Sequence, residues 1–169
     1  MTVSSTQLKV GQGDRHADPA QIMGQLEIEH AVREVMVAYM RACDLHDADA
    51  VAELFHADAT WEGLADGTLL EGSDAIHSAY SEACARLTFC VHFLTNENIC
   101  VSEDAVTARW SYFEPATNRG VLAVWTAGRY EHDFECRDGR WKFLRFRIEP
   151  VLASPYDQGW DIARKVPLE

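Results

Sequence analysis

The sequence lacks the features that mark membrane and exported proteins. No hydrophobic run approaches the length of a membrane span, and the first residues contain no apolar signal-peptide core. The five cysteines are odd in number, widely spaced and never arranged as Cys-x-x-Cys, which is typical of reduced thiols in a reducing compartment. We therefore expect a cytoplasmic protein that does not bind membranes.

The chain also lacks the motifs of several large enzyme classes. It contains no His-Glu-x-x-His, no Cys/His cluster, no glycine-rich phosphate loop and no Gly-x-Ser-x-Gly elbow. We expect no metal, and neither nucleotide cofactors nor serine hydrolysis is indicated. Positive charge is scarce as well, because 15 Lys and Arg stand against 27 Asp and Glu and give a formal net charge of −12. Such a field repels phosphate backbones, so we expect no nucleic-acid partner.

The residues that are present suit one folded domain. A chain of 169 residues that is 47% hydrophobic is long and apolar enough to bury one sizeable core. Residues 1–22 are mostly small and polar, so they predict a disordered N-terminal arm. The folded domain is then expected to span residues 23–169.

Apolar residues recur at helical spacing in the first half of the chain. The longest such pattern begins at Leu26 and ends near Asp44, and it predicts an amphipathic helix. Asp47 is expected to cap a short second helix, and Ser73 a third that continues to Leu87. Between the second and third helices, two short strands are predicted at 58–63 and 68–71, joined by a turn at 65–67.

After Leu87 the hydrophobic period changes to two. Strands are predicted at 88–101, 105–115, 121–135 and 140–151, with Asp138-Gly139 as a hairpin turn. A turn at 154–155 is expected to lead into a short terminal helix. Three helices followed by a long meander predict an α+β fold, in which a strongly curved antiparallel sheet packs on three N-terminal helices and forms a cone with an interior pocket.

Four stretches of this chain resemble the SnoaL-like family of the nuclear transport factor 2 superfamily. They are Tyr39–Asp49, Leu54–Trp61, His92–Asn96 and Asp138–Phe143, and the resemblance extends over residues 24–150. The family's fold is a cystatin-like α+β barrel, which agrees with the cone predicted above.

Within that family the chain is similar to a group of cofactor-independent lyases. Asp44 and His92 look like the Asp–His pair of scytalone dehydratase, and His-x-x-Thr-Asn at 92–96 is similar to a stretch of hexachlorocyclohexane dehydrochlorinase. Bile acid 7α-dehydratase is a third relative of this type. The resemblance implies a homotrimer (favoured over a dimer), no cofactor, no metal, and a buried base that removes a proton before a leaving group departs.

Two positions depart from scytalone dehydratase. Its tyrosine immediately before the aspartate is Cys43 here, and its second pocket histidine aligns with Trp110. The groups that hold water and donate protons in that enzyme are therefore not reproduced. We expect a different substrate from scytalone.

Histidine and aspartate suit the chemistry that the resemblance implies. Imidazole accepts a proton near neutral pH, and a carboxylate that accepts a hydrogen bond from one ring nitrogen fixes the tautomer and stabilises the imidazolium. His92 is the predicted base and Asp44 the group that orients it. The alternatives are that Asp44 faces solvent or bonds to the following turn, and that His92 is a structural histidine on the sheet.

Six further residues are candidates for binding substrate. The aromatic residues could line the pocket or belong to the ordinary core. Asn96 shares strand parity with His92 and could orient a substrate or make a hydrogen bond at a strand edge. Arg145 could bind an anionic group or pair with Glu131 or Glu135 on the surface. The candidates are Tyr39, Trp61, Asn96, Trp110, Tyr112 and Arg145.

The leading functional hypothesis is a lyase, most simply a dehydratase that acts on a hydrophobic cyclic or polyketide-like molecule. An isomerase or a cyclase with the same Asp–His pair is the first alternative, since both begin with the same proton abstraction. A non-catalytic binding domain, or a structural protein like the β subunit of ring-hydroxylating dioxygenases, is the second.

Overall fold

A computed structural model describes residues 18–63 and 67–160 of the chain. These residues form three helices and seven strands. In chain order they are α1 (Pro19–Asp44), α2 (Ala48–Glu53), β1 (Phe55–Glu62), β2 (Leu70–Glu71), α3 (Ser73–Arg86), β3 (Leu87–Cys90), β4 (Phe93–Val101), β5 (Val106–Asn118), β6 (Leu122–Arg137) and β7 (Arg140–Pro155). Within these ranges no helix is both long and apolar enough to cross a bilayer.

The first helix begins earlier than its apolar pattern predicts. The side chain of Asp18 accepts a hydrogen bond from the backbone N–H of Ala20, and Pro19 occupies the first helical turn, where its missing N–H costs nothing. Residues 19–22 are therefore helical, although they were predicted to belong to the arm. The remainder of that predicted arm, residues 1–17, lies outside the described residues.

The second helix starts where predicted, and the third starts one residue earlier. Asp47 caps α2, because its Oδ1 accepts a hydrogen bond of 2.9 Å from the N–H of Ala50. Ser73 is the first residue of α3 and not its cap, since the capping position is occupied by Gly72 at a φ of 87°. Glycine has no Cβ and adopts that positive φ without a steric penalty, which lets the chain turn into α3. No side chain caps the helix at this position.

The strands form one curved sheet in the order β2-β1-β7-β6-β5-β3, with β4 paired to β5 beside β3. This confirms the predicted α+β cone. One pairing differs from the antiparallel prediction, because β1 runs parallel to β7. No hairpin joins these two strands, so no turn constrains their relative direction. The predicted turn at 65–67 falls largely outside the described residues. The turn predicted at 154–155 lies later, because Ser154 and Pro155 still pair as the last residues of β7 and the turn occupies residues 156–160. The predicted terminal helix, beyond residue 160, lies outside the described residues.

The predicted strand 88–101 is divided in two. β3 ends at Cys90 and β4 begins at Phe93, and both pair with the long strand β5. Val91 and His92 lie between them, and the N–H of Val91 still bonds to the carbonyl of Pro115. The interruption places His92 at a corner of the sheet next to the end of α1.

Aromatic side chains fill the core between α1 and the sheet. Tyr39 on α1 packs edge-on against Phe143 and tilted against Phe146, with ring centroids 5.5 and 4.9 Å apart. Both phenylalanines and Phe55 are almost completely buried. Such rings each bury a large apolar area and fix the orientation of α1 against the sheet.

One histidine lies inside this aromatic core. His132 on β6 is fully buried, stacks on Phe146 at a centroid distance of 4.0 Å, and has no hydrogen-bond partner at either ring nitrogen among the described residues. Burial lowers its pKa to about 3, because the apolar surroundings disfavour the imidazolium. His132 is therefore a neutral core residue that costs stability.

We expect His132→Phe to make the fold less sensitive to acid. The pKa of His132 is depressed in the folded state, so below about pH 6.5 the unfolded chain binds a proton that the folded chain does not. The wild type should lose about 2 kcal/mol more unfolding free energy than His132→Phe between about pH 6.5 and about pH 5. Urea unfolding of both proteins at the two pH values measures this difference. Equal losses would contradict the assignment.

Candidate active site

A cavity of about 140 Å³ lies beside the C-terminal half of α1. Four tyrosines from α1, α3, β5 and β6 form much of its wall, together with thiols and a small number of ionisable groups. The tyrosines are Tyr39, Tyr80, Tyr112 and Tyr130. A largely apolar hollow with a few converging polar groups is the usual form of a small-molecule site.

His92 is held at this cavity by Asp44. Its Nδ1 lies 2.7 Å from Oδ1 of Asp44, and its backbone N–H donates to the same oxygen at 3.1 Å. The side chain of His92 is only 8% exposed and that of Asp44 28%. Because Nδ1–H donates to the carboxylate, the other ring nitrogen is left as the proton acceptor. The last residue of α1 thus orients a side chain 48 positions further along the chain.

A second carboxylate, which was not predicted from the sequence, lies on the opposite side of the imidazole. Oε1 of Glu114 is 3.7 Å from Nε2 of His92, and its other oxygen, Oε2, accepts a 2.9 Å hydrogen bond from the hydroxyl of Thr126. The signal for Glu114 was present in β5, because it shares the strand parity of Trp110 and Tyr112, which were both proposed to face inward. An acid on an otherwise apolar strand face indicates a special role.

Three phenols of the cavity, those of Tyr80, Tyr112 and Tyr130, keep their protons near neutral pH. Burial raises the pKa of Tyr112 and of Tyr80, and the negative charge of Glu114 raises both further. Tyr39 and Tyr80 contact each other through their hydroxyl groups. Gly128 on β6 pairs with Tyr112 on β5 and leaves room for the Tyr112 ring, because a Cβ added to this glycine would come 2.8 Å from the ring. These neutral hydroxyls are hydrogen-bond donors in a partly dry site.

The thiol of Cys90 also lies in this cavity and stays neutral. Burial raises its pKa to about 12, and the carboxylates of Glu114 and Asp44 add to the effect. Its sulfur is 3.5 Å from Nε2 of His46, which also lines the cavity. Such a thiol is a poor nucleophile.

Two tryptophans proposed as substrate contacts do not line the cavity. Trp61 stacks on the far side of Tyr80 with ring centroids 4.8 Å apart. Trp110 packs in the core beside His132, and its ring N–H donates to Glu97 at 3.4 Å. Both are at least 94% buried, so their large apolar rings are used in packing. Tyr39 and Tyr112 do line the cavity, as proposed.

Asn96 lies outside the cavity, and its proposed role in binding substrate there is not supported. Its φ is 54°, and the pairing of β4 with β5 shifts register between Thr95 and Asn98. Such an irregularity resets the alternation of side chains, so the parity argument from His92 does not reach Asn96. Its amide donates instead to the hydroxyl of Ser111, beside a groove of about 290 Å³ on the other face of the sheet.

Arg145 is likewise absent from the cavity wall. Its Nε donates to Asp133 at 2.8 Å and it also pairs with Glu131. This is the surface pairing considered as the alternative in the sequence analysis. A partly exposed pair of this kind contributes little stability and is not poised to bind a substrate anion.

Comparison with known proteins agrees with this architecture. Residues 24–147 match the sequence profile described as the SnoaL-like domain. No curated protein gives a significant match. Among solved structures, a candidate aromatic ring hydroxylase of Novosphingobium aromaticivorans is 25% identical, with a TM-score of 0.71 over 77% of this chain and 94% of its own.

Two further structures share the fold at lower identity. A candidate scytalone dehydratase of Novosphingobium aromaticivorans is 18% identical, with a TM-score of 0.73 over 80% of this chain and 91% of its own. The hexachlorocyclohexane dehydrochlorinase LinA-type3 of Novosphingobium barchaimii is 20% identical, with a TM-score of 0.72 over 86% of this chain and 99% of its own. At these identities the likeness establishes the common fold.

Proposed function

The chain belongs to the SnoaL-like domain family, and from that premise we propose that it is a cofactor-independent lyase. Its most direct reaction would be the dehydration of a hydrophobic cyclic ketone or a polyketide-like molecule. The observation that carries the proposal is the Asp44–His92 pair, which stands at the wall of a tyrosine-lined cavity with Nε2 of His92 free to accept a proton.

The proposed reaction begins at carbon. Nε2 of His92 takes a proton from the carbon next to a carbonyl group, while Asp44 stabilises the imidazolium that forms. A cavity hydroxyl such as that of Tyr112 donates a hydrogen bond to the carbonyl oxygen as it becomes an enolate. The lost proton leaves an electron pair that forms the carbon–carbon double bond.

Glu114 completes the proton balance. Its carboxylate stands 3.7 Å from Nε2 of His92, where it can receive the proton from the imidazolium. The protonated acid then donates to the departing hydroxyl group as the carbon–oxygen bond breaks, and water leaves. Both carboxylates and the neutral imidazole are restored, so the cycle needs no external acid. Cys43 and Trp110 stand where scytalone dehydratase has its tyrosine and second pocket histidine, and neither can donate a proton in the same way. Glu114 would be the proton donor in their place.

The cavity volume narrows the substrate class. Drug-sized ligands occupy cavities of roughly 300–1,000 Å³, whereas a dry hollow of about 150 Å³ holds one benzene-sized ring. At about 140 Å³, the cavity suits the reacting ring of a substrate, with any larger part projecting out of the mouth. We therefore place a single five- or six-membered ring next to His92.

A dehydration assay tests the proposal. A panel of cyclic β-hydroxy ketones, beginning with 3-hydroxycyclohexanone, is incubated with the protein, and the conjugated enone is followed by its ultraviolet absorption. We expect enone formation above the rate in buffer and the loss of the mass of water. If ketones of the panel bind to the protein but none of them loses water, the result would count against a dehydratase.

An isomerase is the second candidate, and Glu114 is the observation that favours it. A carboxylate beside Nε2 can return the abstracted proton to a different carbon of the same substrate. 3-Cyclohexenone, which has no leaving group, separates the two activities, because only an isomerase converts it to the conjugated ketone. The open volume beside His92 supports either enzyme over a purely structural role. The homotrimer and the cytoplasmic location stay predictions.

We expect Glu114→Gln to slow turnover moderately. The amide keeps the size of the side chain but cannot carry the proton to the leaving group, so kcat should fall roughly tenfold with KM little changed. Steady-state kinetics with the best ketone of the panel measure the effect. Glu103→Gln, in an exposed turn, is the control that should behave like wild type. An unchanged kcat in Glu114→Gln would assign the proton transfer to another group.

A further inference from the structure

Three groups of the types that bind transition metals meet beside the cavity, and two of them line it. They are the carboxylate of Asp44 at the end of α1, the thiol of Cys90 at the end of β3, and the imidazole of His92, and one ligand atom of each lies within 4.8 Å of the others. The sequence predicts no metal, because none of the usual ligand spacings occurs in it. The fold creates this cluster from residues that are dispersed along the chain.

His46 lies beside this cluster, outside the three groups whose ligand atoms lie within 4.8 Å of one another. Its Nε2 is 3.5 Å from the sulfur of Cys90. A tetrahedral Zn²⁺ with a Zn–S bond of about 2.3 Å and a Zn–N bond of about 2.0 Å separates these two atoms by roughly 3.5 Å. The distance between His46 and Cys90 therefore already matches one edge of a zinc coordination polyhedron.

The electrostatic surroundings favour a cation. Glu114 lies 3.7 Å from His92 and places a second carboxylate next to the cluster. Sulfur and imidazole are ligands that select zinc-like ions over Mg²⁺ and Ca²⁺, which prefer oxygen. The site is also shielded, since Cys90 is buried and the side chain of His92 is 8% exposed.

We propose that Asp44, Cys90 and His92, assisted by His46, bind one zinc-like divalent ion reversibly, and that the bound ion switches off the acid/base pair. The thiol proton of Cys90 leaves to solvent as its sulfur coordinates. The 2.7 Å separation of Asp44 and His92 suits a shared proton, whereas two ligands of one tetrahedral ion lie about 3.3 Å apart. An ion coordinated by both would displace that proton from Nδ1 to Nε2 of His92, and Nε2 would then have no lone pair to accept a substrate proton, so metal binding and proton abstraction exclude each other.

The binding half of this proposal does not depend on the proposed function, so it is tested without an activity assay. The full chain, carrying no histidine tag, is titrated with Co²⁺ while the thiolate-to-metal charge-transfer band is recorded, and Zn²⁺ binding is measured by equilibrium dialysis. We expect one ion per chain, a thiolate band, and no competition from Mg²⁺. Absence of the band in the wild type would overturn the site.

Three variants identify the ligands. Cys90→Ser should abolish the thiolate band and weaken Zn²⁺ binding at least tenfold, and His46→Ala should weaken it as well. Cys136→Ser, which alters an exposed thiol on β6, should leave both unchanged. If Cys90→Ser keeps the band, or if both Cys90→Ser and His46→Ala bind Zn²⁺ like wild type, the proposed ligand set is wrong. His46→Ala provides the test should Cys90→Ser fold poorly.

The inhibitory half rests on the proposed function. Zn²⁺ should inhibit ketone turnover by the wild type at the concentrations that saturate the site, a chelator should restore turnover, and Cys90→Ser should need at least tenfold more Zn²⁺. Stoichiometric binding with unchanged turnover would refute inhibition and leave the metal site in place. Turnover by the metal-bound wild type only would instead contradict both the inhibition and the cofactor-independent mechanism.

Discussion

His92→Ala should lower kcat for dehydration of the best cyclic β-hydroxy ketone by about a thousandfold. The substitution removes the nitrogen proposed to accept the substrate proton, and none of the other described groups at the cavity is both basic and held by a carboxylate in the same way. The fold should survive, because His92 lies in the connection between β3 and β4 and outside the aromatic core. Steady-state kinetics and thermal unfolding measure the two effects separately.

The chain offers a matched control for this variant. His77 on α3 and Asp49 on α2 form another histidine–carboxylate pair at 2.7 Å, but on the surface and away from the cavity. His77→Ala should therefore retain wild-type kcat. Wild-type turnover by His92→Ala, or an equal loss in both variants, would remove His92 from the mechanism.

Asp44→Asn should produce the second-largest loss, roughly a hundredfold in kcat. The amide preserves shape and can still accept a hydrogen bond from the backbone N–H of His92, so the connection to α1 should persist. It carries no charge, however, and its NH₂ group can select the wrong tautomer of the imidazole. The imidazolium formed during proton abstraction then loses its stabilising partner.

A second substitution and a stability measurement separate the catalytic effect of the Asp44 charge from any effect on folding. Asp49→Asn makes the same chemical change in the exposed pair and should leave kcat unchanged. Asp44→Asn should keep its unfolding free energy within about 1 kcal/mol of wild type, because the amide still accepts the hydrogen bond from the backbone N–H of His92. A large loss of stability with unaltered kcat would mean that Asp44 serves only to fasten His92 to the helix.

The sequence predicted the fold because its signals are local. Helical spacing located α1, α2 and α3, and alternation located β5, β6 and β7, since each of these elements buries one face. The predicted ends of the elements were less accurate where one or two residues determine them, as Asp18 and Pro19 do at the start of α1. The parallel pairing of β1 with β7 was not predictable, because the chain between them contains most of the fold.

The site was only partly predictable for a related reason. The two members of the Asp44–His92 pair are 48 positions apart, and only the resemblance to a known family linked them before the structure placed them 2.7 Å apart. Alternation along a strand failed for Asn96, where an irregular register reverses the parity. It would have succeeded for Glu114, which was overlooked because acidic residues on strands are ordinarily exposed.

Trp61 and Trp110 show the limit of composition as a guide to binding. Large aromatic residues suit both a hydrophobic pocket and a packed core, and their identity does not distinguish the two. In this structure Tyr39 and Tyr112 line the cavity, whereas Trp61 stacks on Tyr80 and Trp110 packs beside His132 in the core. The position of free volume, which follows from long-range packing, decides which ring meets a ligand.

The central claim is that His92 removes a proton from carbon, and hydrogen–deuterium exchange isolates that step. Cyclohexanone has acidic protons next to its carbonyl but no leaving group, so in D₂O it reports proton abstraction without elimination. We predict that the wild type and His77→Ala catalyse deuterium incorporation, seen by proton NMR, at least a hundredfold faster than His92→Ala. Equal exchange rates in wild type and His92→Ala would contradict the claim.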